Sequence, residues 1–227
     1  MLHLRRRLLA EGVGTAFLLV AVVGSGIMAQ RLSPGDLGLE LLENAIATGV
    51  ALGTLILVFI TVSGAHFNPA VTLAARAFGE LDTRTAAAYI VVQVVGACAG
   101  VIVANLMFEL PAIEWSATAR GGGALWLSEV VATLGLLLVI FSLARTGRLG
   151  AIPYAVGAWI TGAYFFTSST SFANPAVTIG RTLSDTFAGI RPSSAPMFLL
   201  MQLVGAALAV VLVRSLFPAV RAEPAEA

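Results

Sequence analysis

The pentapeptide NPAVT stands at residues 68–72 and again at 174–178. In each copy asparagine precedes proline, a helix-start signal. Asparagine caps the exposed backbone amides, and proline suits the first helical position because its missing N–H would have no partner there. The apolar segments that begin at these signals, 68–77 and 174–183, fall short of the ~20 residues a spanning helix needs. Two short helices with the same start, far apart in one chain, are the feature around which the rest arranges itself.

The chain has 227 residues, is 58% hydrophobic and only 11% charged. Soluble domains carry about 25% charged residues, so this composition points to a bundle of membrane helices. A net charge of +1 offers no reason to expect nucleic acid as a partner. All basic side chains other than histidine are arginine. The single cysteine, Cys98, has no partner for an internal disulfide and lies in an apolar run, where a small core residue is the expected role. Apolar runs long enough to span, or nearly so, occur at 9–30, 39–62, 85–107, 124–144, 151–167 and 196–217. The first reads as a span rather than a removable leader, because it exceeds the 7–15 residues of a signal peptide's apolar region.

With the N-terminus inside, the inner segments hold Arg5, Arg6, Arg7, Arg76, Arg84, Arg145, Arg148, Arg214 and Arg221. The outer segments hold Arg31, Arg120, Arg181 and Arg191. This imbalance places both termini in the cytoplasm.

Two further pairs recur at a spacing similar to that of the doubled pentapeptide. EGVGT at 11–15 matches EVVAT at 129–133, and QVVGA at 93–97 matches QLVGA at 202–206. The chain therefore reads as one membrane channel domain, 1–227, made of repeat halves 1–110 and 121–227. Each half holds three spans and one short Asn-Pro segment. Three is odd, so the second half enters the membrane upside down, and inverted repeats place a shared site near the midplane. The short segments then come in from opposite faces as re-entrant half-helices, with their N-termini meeting at the centre. Each end carries roughly +0.5 charge from unpaired amides, a focus that repels cations. A single Asn-Pro-Ala is accounted for by an ordinary helix cap. Two at repeat-related positions point to a pore centred on Asn68, Pro69, Ala70, Asn174, Pro175 and Ala176. The asparagine amides there can donate hydrogen bonds into the lumen. Gly96-Ala97 and Gly205-Ala206-Ala207 have the small side chains that let helices approach closely.

SGAHFNPAVT with FANPAVT, the paired Glu11 and Glu129, and the six-span inverted repeat resemble the aquaporin (major intrinsic protein) family over nearly the whole chain. The resemblance implies an all-α fold of six transmembrane helices and two half-helices, assembled as a homotetramer with one pore per subunit. It implies passive passage of water or small uncharged solutes, without cofactor or metal, in a bacterial inner membrane. It casts Glu11 and Glu129 as buried carboxylates that support the re-entrant loops. His66 is either a pore-lining or a hydrogen-bonded structural residue.

One position departs from the family pattern. Most members carry arginine after the second Asn-Pro-Ala, at the outer constriction; here it is Val177. The other filter positions align with Thr48, with Ser171, and with Tyr164 or Gly162 depending on whether the fifth helix is anchored on Pro153 and Gly157 or counted from Asn174. Thr48, Ser171 and Val177 are small or medium-sized, which implies a wider, less cationic filter. Removing a fixed charge ~6 Å from a passing cation lowers its barrier by roughly 3 kcal/mol at an effective dielectric of 20. Arg181, four residues after Val177, falls one helical turn outward on the same face. Helical side chains lean toward their N-terminus, so Arg181 can supply a displaced charge at the outer mouth, or else be satisfied by loop carbonyls or lipid headgroups.

The expected function is a channel for small neutral solutes: water, glycerol-like polyols and neutral metalloid hydroxides such as arsenous acid. The alternatives are a strict water channel and, from a different class, an ion-coupled transporter. Transport coupling needs buried ionisable groups facing the substrate, and beyond Glu11 and Glu129 the spans offer almost none. An enzyme is not expected, since no nucleophile–base pair or metal cluster is visible and the only histidines are His3 and His66.

Overall fold

The computed structural model describes residues 4–218. His3, Arg221 and both chain ends lie outside the described residues. The elements are α1 (Leu4–Leu32), α2 (Leu37–Ser63), α3 (Pro69–Phe78), α4 (Thr83–Met107), α5 (Gly123–Arg145), α6 (Ile152–Phe166), α7 (Pro175–Gly180) and α8 (Ala195–Leu216). Among the described residues, six helices are long and apolar enough to cross a membrane, the fifth of them being α6 with the 3-10 turn Leu149–Ala151 before it. The order in both halves is long, long, short, long.

The helix ends obey local chemistry. Asp36 and Asp82 accept hydrogen bonds from Leu39 N and Thr85 N at the starts of α2 and α4. Gly64 and Gly79 close α2 and α3 in the left-handed conformation, at φ 92° and 84°. Two boundaries differ from the apolar count. Helix α1 starts at Leu4 rather than residue 9, because Arg5–Arg7 are invisible to hydropathy yet are good helix formers. The short segment expected over 174–183 is an α-helix only to Gly180, and Arg181–Leu183 is a 3-10 turn. There Glu114 N and Ser116 N donate to the carbonyls of Leu183 and Thr182, and the chain becomes extended at Ser184.

Packing follows the repeat. Helix α1 packs on α2 and α4, while α5 packs on α6 and α8; α2 and α6 join the halves. Each half-helix touches both α4 and α8, so α3 and α7 lock the halves together. The long helices carry large apolar side chains outward, among them Leu9, Phe17, Val50, Val91, Leu127 and Val211. Their polar residues are turned inward: Glu11, Gln93, Glu129 and Gln202 are wholly buried. That is the arrangement a lipid solvent demands.

The closest helix approaches need glycine. A Cβ at Gly96 would lie 2.3 Å from the Gly12 carbonyl oxygen, between α4 and α1. At Gly205 it would lie 2.7 Å from the Val130 oxygen, between α8 and α5. Gly96→Leu must therefore push α4 off α1, at a cost of about 1–3 kcal/mol. The expected result is a thermal midpoint in detergent several degrees below that of the unmodified protein, with Gly150→Ala unchanged because nothing lies within 4 Å of that position. Equal midpoints for Gly96→Leu and the unmodified protein would refute the close-approach role.

Candidate functional site: the pore lining

The two re-entrant loops share one unusual backbone. Ala65 and Phe67 have φ of 51° and 48°; Ser171 and Ala173, at the corresponding places, have 51° and 49°. A residue with a side chain in this left-handed region costs on the order of 1–3 kcal/mol unless its surroundings impose it. Here they do. The Glu11 carboxylate accepts hydrogen bonds from His66 N (3.0 Å) and Phe67 N (2.8 Å), and also from Ser63 Oγ and Gln93 Nε2. Glu129 accepts from Phe172 N (3.0 Å), Ala173 N (2.9 Å) and Gln202 Nε2 (2.6 Å). Each carboxylate thus binds two consecutive loop amides that have no helical partner.

Asn68 and Asn174 do two jobs each. Their Oδ1 atoms accept from Ala70 N and Ala176 N and cap α3 and α7. Their amides cross: Asn68 Nδ2 donates to the Ala173 carbonyl, and Asn174 Nδ2 to the Phe67 carbonyl, both at 2.8 Å. The half-helix starts therefore meet directly. One N–H of each amide is used in the cross-brace, which leaves the other for the lumen. Pro69 and Pro175 stand at the first helical positions, and Ala70 and Ala176 are fully buried behind them.

Sequence reasoning used Gln93 and Gln202 only as repeat markers and gave Thr72 and Thr178 no role in the site. The structure joins them. Gln93 Nε2 donates to Thr72 Oγ1 at 3.0 Å, and Gln202 Nε2 to Thr178 Oγ1 at 2.8 Å. The last letter of NPAVT thus ties each half-helix to α4 or α8. The signal was present in the recurrence of both residue types in the two repeat halves.

A narrow cavity runs past these residues. Asn68, Asn174 and His66 line it, as do Thr48, Tyr164, Ser171, Val177 and Arg181. His66 has both expected features: it lines the cavity, and its Nδ1 is 3.1 Å from Thr72 Oγ1. Tyr164, not Gly162, is in the lining, and its hydroxyl donates to Thr48 Oγ1 at 3.3 Å, which ties the ring to α2. Ser171 Oγ is buried without a protein partner. Phe172, which the sequence did not single out, also lines the cavity. Away from Val177 and Arg181 the cavity meets a wider vestibule that shares His66 and reaches Glu80. Burial in the turn after α3 pushes the Glu80 carboxyl above its usual range, and nearby Arg145 opposes that shift.

Replacing one oxygen of a carboxylate that satisfies two buried amides leaves one of them without an acceptor. Glu129→Gln, which presents an NH2 group to a wall of donors, is expected to cost ~3 kcal/mol or more. Thr178→Val, which removes one acceptor, is expected to cost ~1 kcal/mol. Thermal unfolding in detergent should rank the three proteins in that order, and a Glu129→Gln midpoint at or above that of Thr178→Val would contradict the assignment.

Comparison with known proteins agrees with this geometry. The family model described as Major intrinsic protein matches residues 1–173 and 146–227. Aquaglyceroporin AqpS of Rhizobium meliloti (strain 1021) is 49% identical over 218 residues, covering 96% of this chain and 93% of the relative. The lens fiber major intrinsic protein of Ovis aries is 34% identical over 170 residues, 71% of this chain and 62% of that protein. The X-ray structure of the aquaglyceroporin from Plasmodium falciparum superposes with a TM-score of 0.74, covering 95% of this chain and 97% of that chain at 21% identity, which makes it a likeness of fold. This chain is an integral membrane protein and belongs to the major intrinsic protein family.

Proposed function

We propose that this protein is a passive channel for water and small uncharged solutes, with glycerol-like polyols and neutral metalloid hydroxides such as arsenous acid as the solute classes beyond water. Asn68 and Asn174 form its centre, and Thr48, Tyr164, Ser171 and Val177 its outer filter. Glu11 and Glu129 support the loops from the two repeat halves, 1–110 and 121–227. The working unit is a homotetramer in a bacterial plasma membrane, with both termini cytoplasmic and no catalytic role.

The observation that carries this reading is the single cavity in which the crossed asparagines and Val177 share one wall system. Valine places a short apolar side chain where a long cationic one would narrow the passage. The tie between Tyr164 and Thr48 draws the one bulky filter side chain against α2. The resemblance to a protein named as an aquaglyceroporin supports the same class. Coupling to an ion is disfavoured, because Glu11 and Glu129 are wholly buried and spend both carboxylate oxygens on loop amides and side-chain donors. A strict water channel is the second reading, favoured by the presence of Arg181 in the same cavity.

Stopped-flow swelling of proteoliposomes separates these readings. The unmodified protein is expected to pass water, glycerol and arsenous acid with no ion gradient present. Val177→Arg is expected to lower glycerol flux at least tenfold while reducing water flux less. Glycerol exclusion by both proteins would leave the strict water channel, and flux that disappears when an ion gradient is abolished would leave the transporter.

A further inference from the structure

Arg181 combines features that a merely buried arginine does not. It is only 2% exposed, yet it lines the cavity together with Val177, Ser171 and Tyr164. Its Nε donates to the Ala188 carbonyl. Its two Nη groups find no hydrogen-bond partner in the described residues, and neither is sealed from the cavity. No carboxylate bonds to it among the described residues. The anchored Nε and the open Nη groups give one guanidinium two faces, one fixed to the loop and one turned to the lumen.

Phe172 explains why the side chain points this way. The Arg181 guanidinium carbon is 3.4 Å from the Phe172 ring centroid, a stacked contact. The ring is itself held. Its backbone N donates to Glu129, its edge packs on Phe198 at 5.1 Å between centroids, and Arg120 lies 5.2 Å from its centroid. Arg120 in turn donates to the carbonyls of Gly189 and Phe187, which flank the Arg181 acceptor. A planar guanidinium on an aromatic face is attracted to the ring and loses little further freedom when its donors are used. The end of α7 also contributes. Because Arg181 begins a 3-10 turn, its side chain is not carried outward along a continuing helix.

We propose that Arg181 is the cation barrier of this pore, and that Phe172 is the residue that positions it. The fixed charge absent at Val177 is supplied from the next turn, on a side chain laid flat against the wall. Width and charge at the outer mouth are then set by different residues: Val177 leaves room for a solute, and Arg181 repels cations. This rests on the channel reading above, and it adds that the wide filter stays tight to protons and sodium.

The test uses the full-length protein in phosphatidylcholine–phosphatidylglycerol vesicles. Glycerol flux is read by light scattering. Proton leak is read with an entrapped pH dye under a potassium diffusion potential. The quantity compared is the ratio of leak to glycerol flux. Arg181→Leu should raise it at least tenfold, and Arg181→Lys, which keeps the charge, should raise it less than threefold. Phe172→Leu, with the arginine still present, should raise it severalfold, a change that loss of packing alone would not single out. The double variant Val177→Arg/Arg181→Val, whose glycerol flux falls with the filter, should return the proton leak per inserted channel to within threefold of the unmodified protein. A ratio for Arg181→Leu within twofold of the unmodified value overturns the proposal. If Arg181→Leu does not insert, a double variant that folds and leaks tenfold more than the unmodified protein overturns it equally. If the unmodified protein passes no glycerol, the solute reading fails, and the leak ratio normalised to water flux still decides the role of Arg181.

Discussion

Two carboxylates sealed from solvent hold non-helical backbone inside this membrane protein. An unpaired amide in a hydrocarbon environment costs several kcal/mol, so a re-entrant loop survives there only if something accepts its N–H groups. Glu11 and Glu129 each accept two consecutive loop amides. Isolated buried charges are themselves costly, but these are surrounded by donors, which include Gln93 and Gln202. The left-handed residues at 65, 67, 171 and 173 are tolerated because these bonds over-determine them. Helix placement, pore centre and mouth all rest on loops shaped in this way.

From that constraint the rest of the interior follows. The loops deliver Asn68 and Asn174 to one place, and the crossed amide bonds fix the two half-helices against each other. The Thr72–Gln93 and Thr178–Gln202 bonds then secure each half-helix to a long helix. Glycines at 96 and 205 let α4 and α8 close on α1 and α5, the helices that carry the two carboxylates. Polar groups thus sit at the centre among buried apolar side chains, and the outward faces of the long helices are apolar as well.

The end of the cavity lined by Val177 and Arg181 departs from strict repeat symmetry. Tyr164 is tied to Thr48 in the cavity wall, while Arg181 lies on Phe172 with no counterpart in the first half. The repeat builds a centre that serves either direction of passage equally. The asymmetry is confined to one end of the pore.

The class of fold, six spans and two capped short helices, was legible in the sequence, because hydropathy and Asn-Pro caps are local properties of a few neighbouring residues. The doubled pentapeptide announced two half-helices, and Val177 stood out as a departure from the family pattern in the sequence alone. The carboxylate pair was legible through its repeat spacing. Only the tertiary structure decided which partners these residues take. The asparagine amides reach carbonyls 105 and 107 residues away, and the Gln–Thr bonds link separate helices. The structure also decided where α7 stops, that Tyr164 rather than Gly162 meets the cavity, and that Arg181 turns onto Phe172. Those outcomes depend on side-chain direction and on backbone hydrogen bonds made across the fold, and neither is encoded in the spacing of residues along the chain.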